Sequence, residues 1–281
     1  MKAIVAEGAG FCFGVKRALK IAFDAARKGD GSVVTLGAII HNPQVVARLE
    51  EEGLRVVKNL DEVDGGTLVV RSHGLPRRVL EEAETKGMTV VDATCPFVKQ
   101  AQERAAQLED EGHAVVVVGE EDHPEVLSIT GSLKGRAKVV NGTAELPELP
   151  PAKSYGVVCQ TTQPQEHLSS VVQDLLSKTR ELKVFNTICE ATRERQQEAC
   201  ALAGEVDRMV VVGGRNSANT RRLAELCASI QPRTLQVETS GEIEAGWLRG
   251  ARRIGVTAGA STPDRVIQEV VRRLEALRAD I

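Results

Sequence analysis

The chain alternates short runs of apolar, largely β-branched residues with longer segments whose apolar positions recur every three to four residues. Short apolar runs bounded by Gly, Pro, Asn or Asp read as buried strands, and the longer segments read as amphipathic helices. Twelve strands are predicted, at 2–6, 32–36, 54–58, 67–71, 89–92, 114–118, 137–140, 155–159, 182–185, 209–212, 234–237 and 253–257. Strand and helix periods that alternate throughout predict an α/β protein with parallel sheets. Pro just inside the first turn marks helix starts at Asn42-Pro43, His123-Pro124 and Thr262-Pro263.

The twelve strands divide into three sets of four. The first strand of each set leads to a cysteine, and the connections 59–65, 142–152 and 240–250 fall at matching places. Cys12, Cys95 and Cys189 stand 83 and 94 residues apart, each between a strand and a helix-like segment. This parity predicts three pseudo-threefold-related α/β subdomains, each with a mostly parallel four-stranded sheet flanked by helices. Their seams fall just after the cysteines, giving 14–95, 96–189 and 190–281, with the first strand (1–13) packed on the last third. No linker or low-complexity stretch interrupts the chain, and Pro-rich 147–151 fits an internal loop.

Composition narrows the function. A formal charge of −3 and only five Phe, one Trp and one Tyr argue against a nucleic-acid binder, which needs cations and stacking surfaces. No apolar run approaches the ~20 residues that cross a bilayer. The first residues enter a strand pattern without a basic, then apolar, leader, so a cytoplasmic protein is expected. Six scattered cysteines in such a chain point to metal binding or catalysis rather than disulfides.

The strand ends carry the chemistry. The first third offers Cys12, His41 and His73; the second offers Cys95, His123 with Glu125, and Thr161 with Thr162; the last offers Cys189, Ser217 with Asn219, and Ser261. Ligands of parallel sheets bind at the carboxyl edge of the strands, where helix amino termini favour anions. A lone cysteine usually packs as a small hydrophobe. A lone loop histidine is usually satisfied by backbone, and Ser or Asn at such places usually caps a helix. Repetition at equivalent strand ends outweighs these bland readings. Three thiolates suggest a metal centre, zinc or iron, with one position open, beside an anionic and phosphorylated small molecule. Cys200 and Cys227 fall on helical segments and read as structural; Cys159 closes a strand and reads as packing. Gly8-Ala9-Gly10 imitates a dinucleotide-binding loop, but Phe13 stands where the third glycine belongs, and the second strand lacks the acid that would hold a ribose.

Nine motifs, in order from residue 10 to about residue 265, resemble the LytB/IspH family of 4-hydroxy-3-methylbut-2-enyl diphosphate reductases. They are Gly10-Phe11-Cys12-Phe13-Gly14-Val15, His41-Asn42-Pro43, Ser72-His73-Gly74, Asp92-Ala93-Thr94-Cys95-Pro96, His123-Pro124-Glu125-Val126, Gln160-Thr161-Thr162, Thr187-Ile188-Cys189, Asn216-Ser217-Ala218-Asn219 and Thr257-Ala258-Gly259-Ala260-Ser261. The resemblance implies a trefoil of three subdomains around a central 4Fe–4S cluster held by Cys12, Cys95 and Cys189, with one iron open to the substrate hydroxyl. It implies the last step of the non-mevalonate isoprenoid pathway: two electrons and two protons remove the allylic hydroxyl as water and leave isopentenyl or dimethylallyl diphosphate. Glu125 is the implied proton source and Thr161 its relay, with His41, His73, His123, Thr161, Ser217, Asn219 and Ser261 binding the substrate. A ferredoxin or flavodoxin is the implied electron donor, and the protein is expected as a monomer or weak dimer with neither nucleic acid nor membrane as partner.

Two positions depart from the family pattern: Ala218, where a second serine is common, and Cys159, where many members have Thr. A missing hydrogen bond to a charged group at Ala218 would be worth roughly 1.5–3 kcal/mol. Two other readings of the same residues are a zinc hydrolase using the three thiolates plus water, and a non-catalytic phosphate-ligand or iron–sulfur sensor module.

Overall fold

The computed structural model describes residues 2–28, 32–135, 137–149 and 152–277. Positions 150–151 of the predicted connection 142–152, and the last four residues of the predicted third subdomain, lie outside them. Among the described residues twelve strands and nine α-helices alternate. They are β1 (Lys2–Val5), α1 (Phe13–Lys28), β2 (Val33–Leu36), α2 (Pro43–Glu51), β3 (Leu54–Val57), β4 (Thr67–Val70), α3 (Arg77–Thr85), β5 (Thr89–Asp92), α4 (Pro96–Asp110), β6 (Ala114–Val118), α5 (Pro124–Thr130), β7 (Lys138–Val140), β8 (Ser154–Cys159), α6 (Gln165–Leu176), β9 (Glu181–Val184), α7 (Glu190–Glu205), β10 (Arg208–Val212), α8 (Ala218–Ile230), β11 (Thr234–Val237), β12 (Arg253–Ala258) and α9 (Asp264–Leu277). Every predicted strand is present, with ends shifted by at most one residue. Pro263 precedes α9 rather than sitting inside its first turn.

The strands form three parallel four-stranded sheets, in the orders β3-β2-β4-β5, β7-β6-β8-β9 and β11-β10-β12-β1. The order is the same in all three. The strand that leads to a cysteine (β5, β9 or β1) is always an edge strand, paired with the last strand of the preceding set of four (β4, β8 or β12). The sheets therefore group strands 2–5, 6–9, and 10–12 with 1, one strand later than sets of four counted from the start of the chain.

The chain forms two compact units. One comprises the chain up to Val15, His41–Pro43, and the chain from Glu190 onward; the other comprises Lys16–Ile40 and Gln44–Cys189. The first holds the sheet of β10–β12 with β1, and the second holds the other two sheets.

Near-continuous valine runs mark strands covered on both faces. In the second unit Val116, Val118 and Val157 pack with Leu168, Val171 and Leu175 of α6. The alternate residues Val115, Val117 and Val158 pack with Ala101, Ala105 and Leu108 of α4. Val34, Leu68 and Val70 meet Val79 and Ala83 of α3. In the first unit Val210, Val212, Ile254 and Val256 lie with Val270 and Leu274 of α9, while Met209 and Val211 meet Ala199 of α7 and Leu223 of α8. Each fully buried valine contributes about 1.5–3 kcal/mol. Helices on both faces leave the loops at the carboxyl ends of the parallel strands as the natural place for function. No helix among the described residues is long and apolar enough to cross a membrane.

Candidate active site

Each of the three cysteines is held by the same backbone bond. The amide of Cys95 donates to Ser72 O at 2.9 Å, that of Cys189 to Thr161 O at 3.0 Å, and that of Cys12 to Ala260 O at 3.3 Å. Ser72, Thr161 and Ala260 all stand two residues past the third strand of their sheet (β4, β8 and β12). The residue after each cysteine opens a helix: Phe13 opens α1, Pro96 opens α4 and Glu190 opens α7. The Val15 amide lies 3.5 Å from the Cys12 sulfur as its donor. The Cys95 turn is braced further, by Arg17 donating to Thr94 O at 2.9 Å and by Asp92 accepting the Thr94 amide at 2.8 Å.

These three sulfurs are half-buried and outside any disulfide. Burial pushes the thiols of Cys159 and Cys227 up, that of Cys227 to about 12 with a further contribution from Cys200. Accessible sulfurs at helix amino termini suit soft metals and iron–sulfur clusters, and Cys12, Cys95 and Cys189 each offer one. Cys159 and Cys227 are packing residues.

In the second unit a buried acid is tied to the Cys189 turn. Glu125, 2% exposed, sits in the first turn of α5. Its Oε1 accepts the Thr161 amide at 2.6 Å, and its Oε2 accepts the Thr161 hydroxyl at 3.0 Å. Desolvation outweighs these two bonds and pushes the carboxyl up to about 7. Thr161 thus binds the acid through its amide and hydroxyl while its carbonyl holds Cys189.

His123 caps α5, its Nδ1 accepting the Glu125 amide at 3.1 Å. The ring proton of the neutral imidazole then lies on Nε2. The His73 ring meets that of His123 edge to face, 5.5 Å between centroids. Ser128, one turn after Glu125, lies 2.7 Å from the His73 carbonyl and 2.8 Å from the Glu125 carbonyl, so it ties the His73 loop to α5. Gly74 has φ of +76°, and a Cβ there would lie 3.0 Å from the Ser128 hydroxyl, so this turn requires glycine.

In the first unit Ser217 caps α8, accepting the Thr220 amide at 3.4 Å. The buried Asn219 Nδ2 has no hydrogen-bond partner among the described residues. A buried amide without a partner is costly, so Asn219 fits a ligand acceptor. Ser261 donates to the His41 carbonyl at 3.2 Å. The predicted residues are therefore assembled in two groups: Cys95, Cys189, His73, His123, Glu125 and Thr161 in one unit, and Cys12, His41, Ser217, Asn219 and Ser261 in the other.

Sequence reasoning missed Ser128, Arg17 and the triple use of Thr161. The i, i+3 spacing of Ser128 from Glu125 was available as a signal. The contacts of Arg17 and Thr161 link residues 77 and 36 apart and left none.

A family model described as LytB protein matches residues 3–275. A curated relative from Geobacter metallireducens, named 4-hydroxy-3-methylbut-2-enyl diphosphate reductase, is 54% identical over 99% of this chain and 98% of its own. One from Geobacter sulfurreducens with the same name is 53% identical over 98% and 97%. Among solved structures, (E)-4-hydroxy-3-methyl-but-2-enyl diphosphate reductase, titled the terminal enzyme of the non-mevalonate pathway, superposes with a TM-score of 0.74 at 44% identity, covering 98% of this chain and 100% of that one. The Plasmodium falciparum E-1-hydroxy-2-methyl-but-2-enyl-4-diphosphate reductase gives a TM-score of 0.90 at 25% identity, covering 96% and 86%. With the sheet order, the cysteine framework and full-length relatives in agreement, the chain belongs to the LytB protein family.

Proposed function

We propose that this chain catalyses the reductive dehydroxylation of (E)-4-hydroxy-3-methylbut-2-enyl diphosphate to isopentenyl and dimethylallyl diphosphate. Two electrons and two protons are taken up, and the hydroxyl oxygen leaves as water. The observation that carries this reading is the junction at Thr161, which connects a buried, near-neutral acid to a half-buried cysteine at a helix amino terminus.

Cys12, Cys95 and Cys189 are the residues that would hold a 4Fe–4S cluster, leaving one iron without a protein ligand. When bound, the cluster supplies electrons and a Lewis-acidic iron for the allylic hydroxyl, a poor leaving group. The protein's own part is the proton and the anion. A carboxyl near 7 is substantially protonated at neutral pH, so Glu125 serves as general acid. Thr161 Oγ1, 3.0 Å from Glu125 Oε2, can take that proton while passing its own toward the hydroxyl. His41, His73, His123, Ser217, Asn219 and Ser261 bind the diphosphate. Imidazoles, when protonated, add positive charge where the anion docks. Ala218 brings no hydroxyl to this set, so its contribution is limited to backbone.

A ferredoxin or flavodoxin is the electron donor in this reading, the cytoplasm its compartment, and the working form a monomer or weak dimer. The test is direct turnover. Anaerobically purified protein given a low-potential reductant and the hydroxylated diphosphate is expected to release both isomers, resolved by chromatography. Cluster-loaded protein that leaves the substrate unchanged would refute the proposal.

A further inference from the structure

The turn between β1 and Cys12 is gripped by α7, the helix that begins immediately after Cys189. Arg195, 5% exposed, donates from Nε to the Gly8 carbonyl at 2.9 Å and from Nη2 to the Gly10 carbonyl at 2.8 Å. Glu198 lies three residues on, and so on the same face of the helix. Its carboxylate accepts the Glu7 amide at 2.6 Å and the Gly8 amide at 2.8 Å. Charged groups therefore make four hydrogen bonds to residues 7–10, which lead directly into Cys12.

The glycines in this turn admit the clamp. A Cβ on Gly8 would lie 2.8 Å from Glu198 Oε2. Gly10 has φ of +100°, and a Cβ there would meet Asp264 Oδ1 at 2.9 Å. The amides of Glu7 and Gly8, which a dinucleotide-type loop would turn toward a phosphate, are taken by Glu198. Hydrogen bonds to ionised groups are roughly twice as strong as neutral ones. A guanidinium keeps its charge and presents a rigid fork that a lysine cannot reproduce. Burying one against two backbone carbonyls is costly unless both bonds form, so the turn and α7 have one preferred arrangement.

We infer that Arg195 and Glu198 are positioning residues that preset the Cys12 turn for the cluster, an inference that rests on Cys12 being one of its ligands. Outer residues that orient metal ligands are typically worth about 10–100-fold in metal affinity or activity.

The test follows cluster loss from anaerobic holoenzyme in the presence of a chelator and a thiol-alkylating reagent. Absorbance gives the cluster half-life, and peptide mass spectrometry gives the order in which cysteines are labelled. Arg195→Met is expected to shorten the half-life about tenfold and to label Cys12 ahead of Cys95 and Cys189. Arg195→Lys keeps the charge but not the fork, so it should recover only part of the half-life, and Glu198→Gln should likewise fall between Arg195→Met and wild type. If Arg195→Met does not yield folded protein, Arg195→Lys and Glu198→Gln are judged on the same two readouts. A wild-type half-life, or simultaneous labelling of all three cysteines as general loosening would give, overturns the inference. Cys12→Ser is measured alongside. Full iron content in that variant would overturn the ligand reading and the inference with it, whereas iron loss there with an unaltered Arg195 series overturns the inference alone.

Discussion

Glu125→Gln is expected to leave iron and sulfide content at the wild-type level while lowering kcat by about 10²–10⁴-fold, the usual worth of a positioned general acid. The amide matches the carboxyl in shape. Its oxygen can still accept the Thr161 amide and its NH2 can donate to the Thr161 hydroxyl, so the framework around Cys189 is retained. What is lost is a transferable proton. The wild-type kcat/KM should fall as pH rises through about 7, where the buried acid ionises, and this limb should be absent from the residual activity of the variant. Stability carries the same signature. The folded pKa stands above the ordinary carboxylate value of about 4.3. The protonated acid therefore supports the fold fully below that value, and its contribution is lost as pH rises through about 7. Thermal unfolding of wild type and variant across this range should show wild type losing ground at the higher pH. Wild-type turnover in the Gln variant would remove Glu125 from its role.

Replacing Cys12, Cys95 or Cys189 singly with Ser is expected to remove most bound iron and sulfide and to abolish turnover. Changes outside the ligand set already cost about 10–100-fold in metal affinity or activity, and loss of a thiolate should exceed that. Cys200→Ser should retain both iron and activity, because Cys200 lies on α7 within the helix, away from the strand-end amide bonds that hold the other three. Iron and sulfide analysis of the four variants separates the sets. A full cluster in any one of the first three variants would exclude that cysteine as a ligand.

Much of this architecture was legible in the sequence because it is local. The valine-rich runs at 115–118 and 209–212 are buried on both faces, and glycines bound the runs, so strand positions followed to within a residue. The parity of the cysteines was legible for the same reason, since each follows a strand and opens a helix. Strand order within each sheet was not. That β5 and β1 stand at sheet edges, beside β4 and β12, depends on partners distant in the chain. The state of Glu125 was also hidden. As an acid in a helix's first turn it reads as stabilised by the dipole, and only burial beside Thr161 reverses the direction of its shift. The glycine turn at 8–10 carried a misleading local signal, because the groups that explain it lie about 190 residues away on α7.

One iron of the proposed cluster stays open for the substrate, and Mössbauer spectroscopy of isotopically enriched, anaerobic holoenzyme with and without the hydroxylated diphosphate reads that iron. The expected spectrum is that of a four-iron cluster in which the substrate perturbs the signal of one iron and leaves the other three as they were. A spectrum unchanged by saturating substrate, or protein that holds zinc and no iron after anaerobic purification, would contradict it.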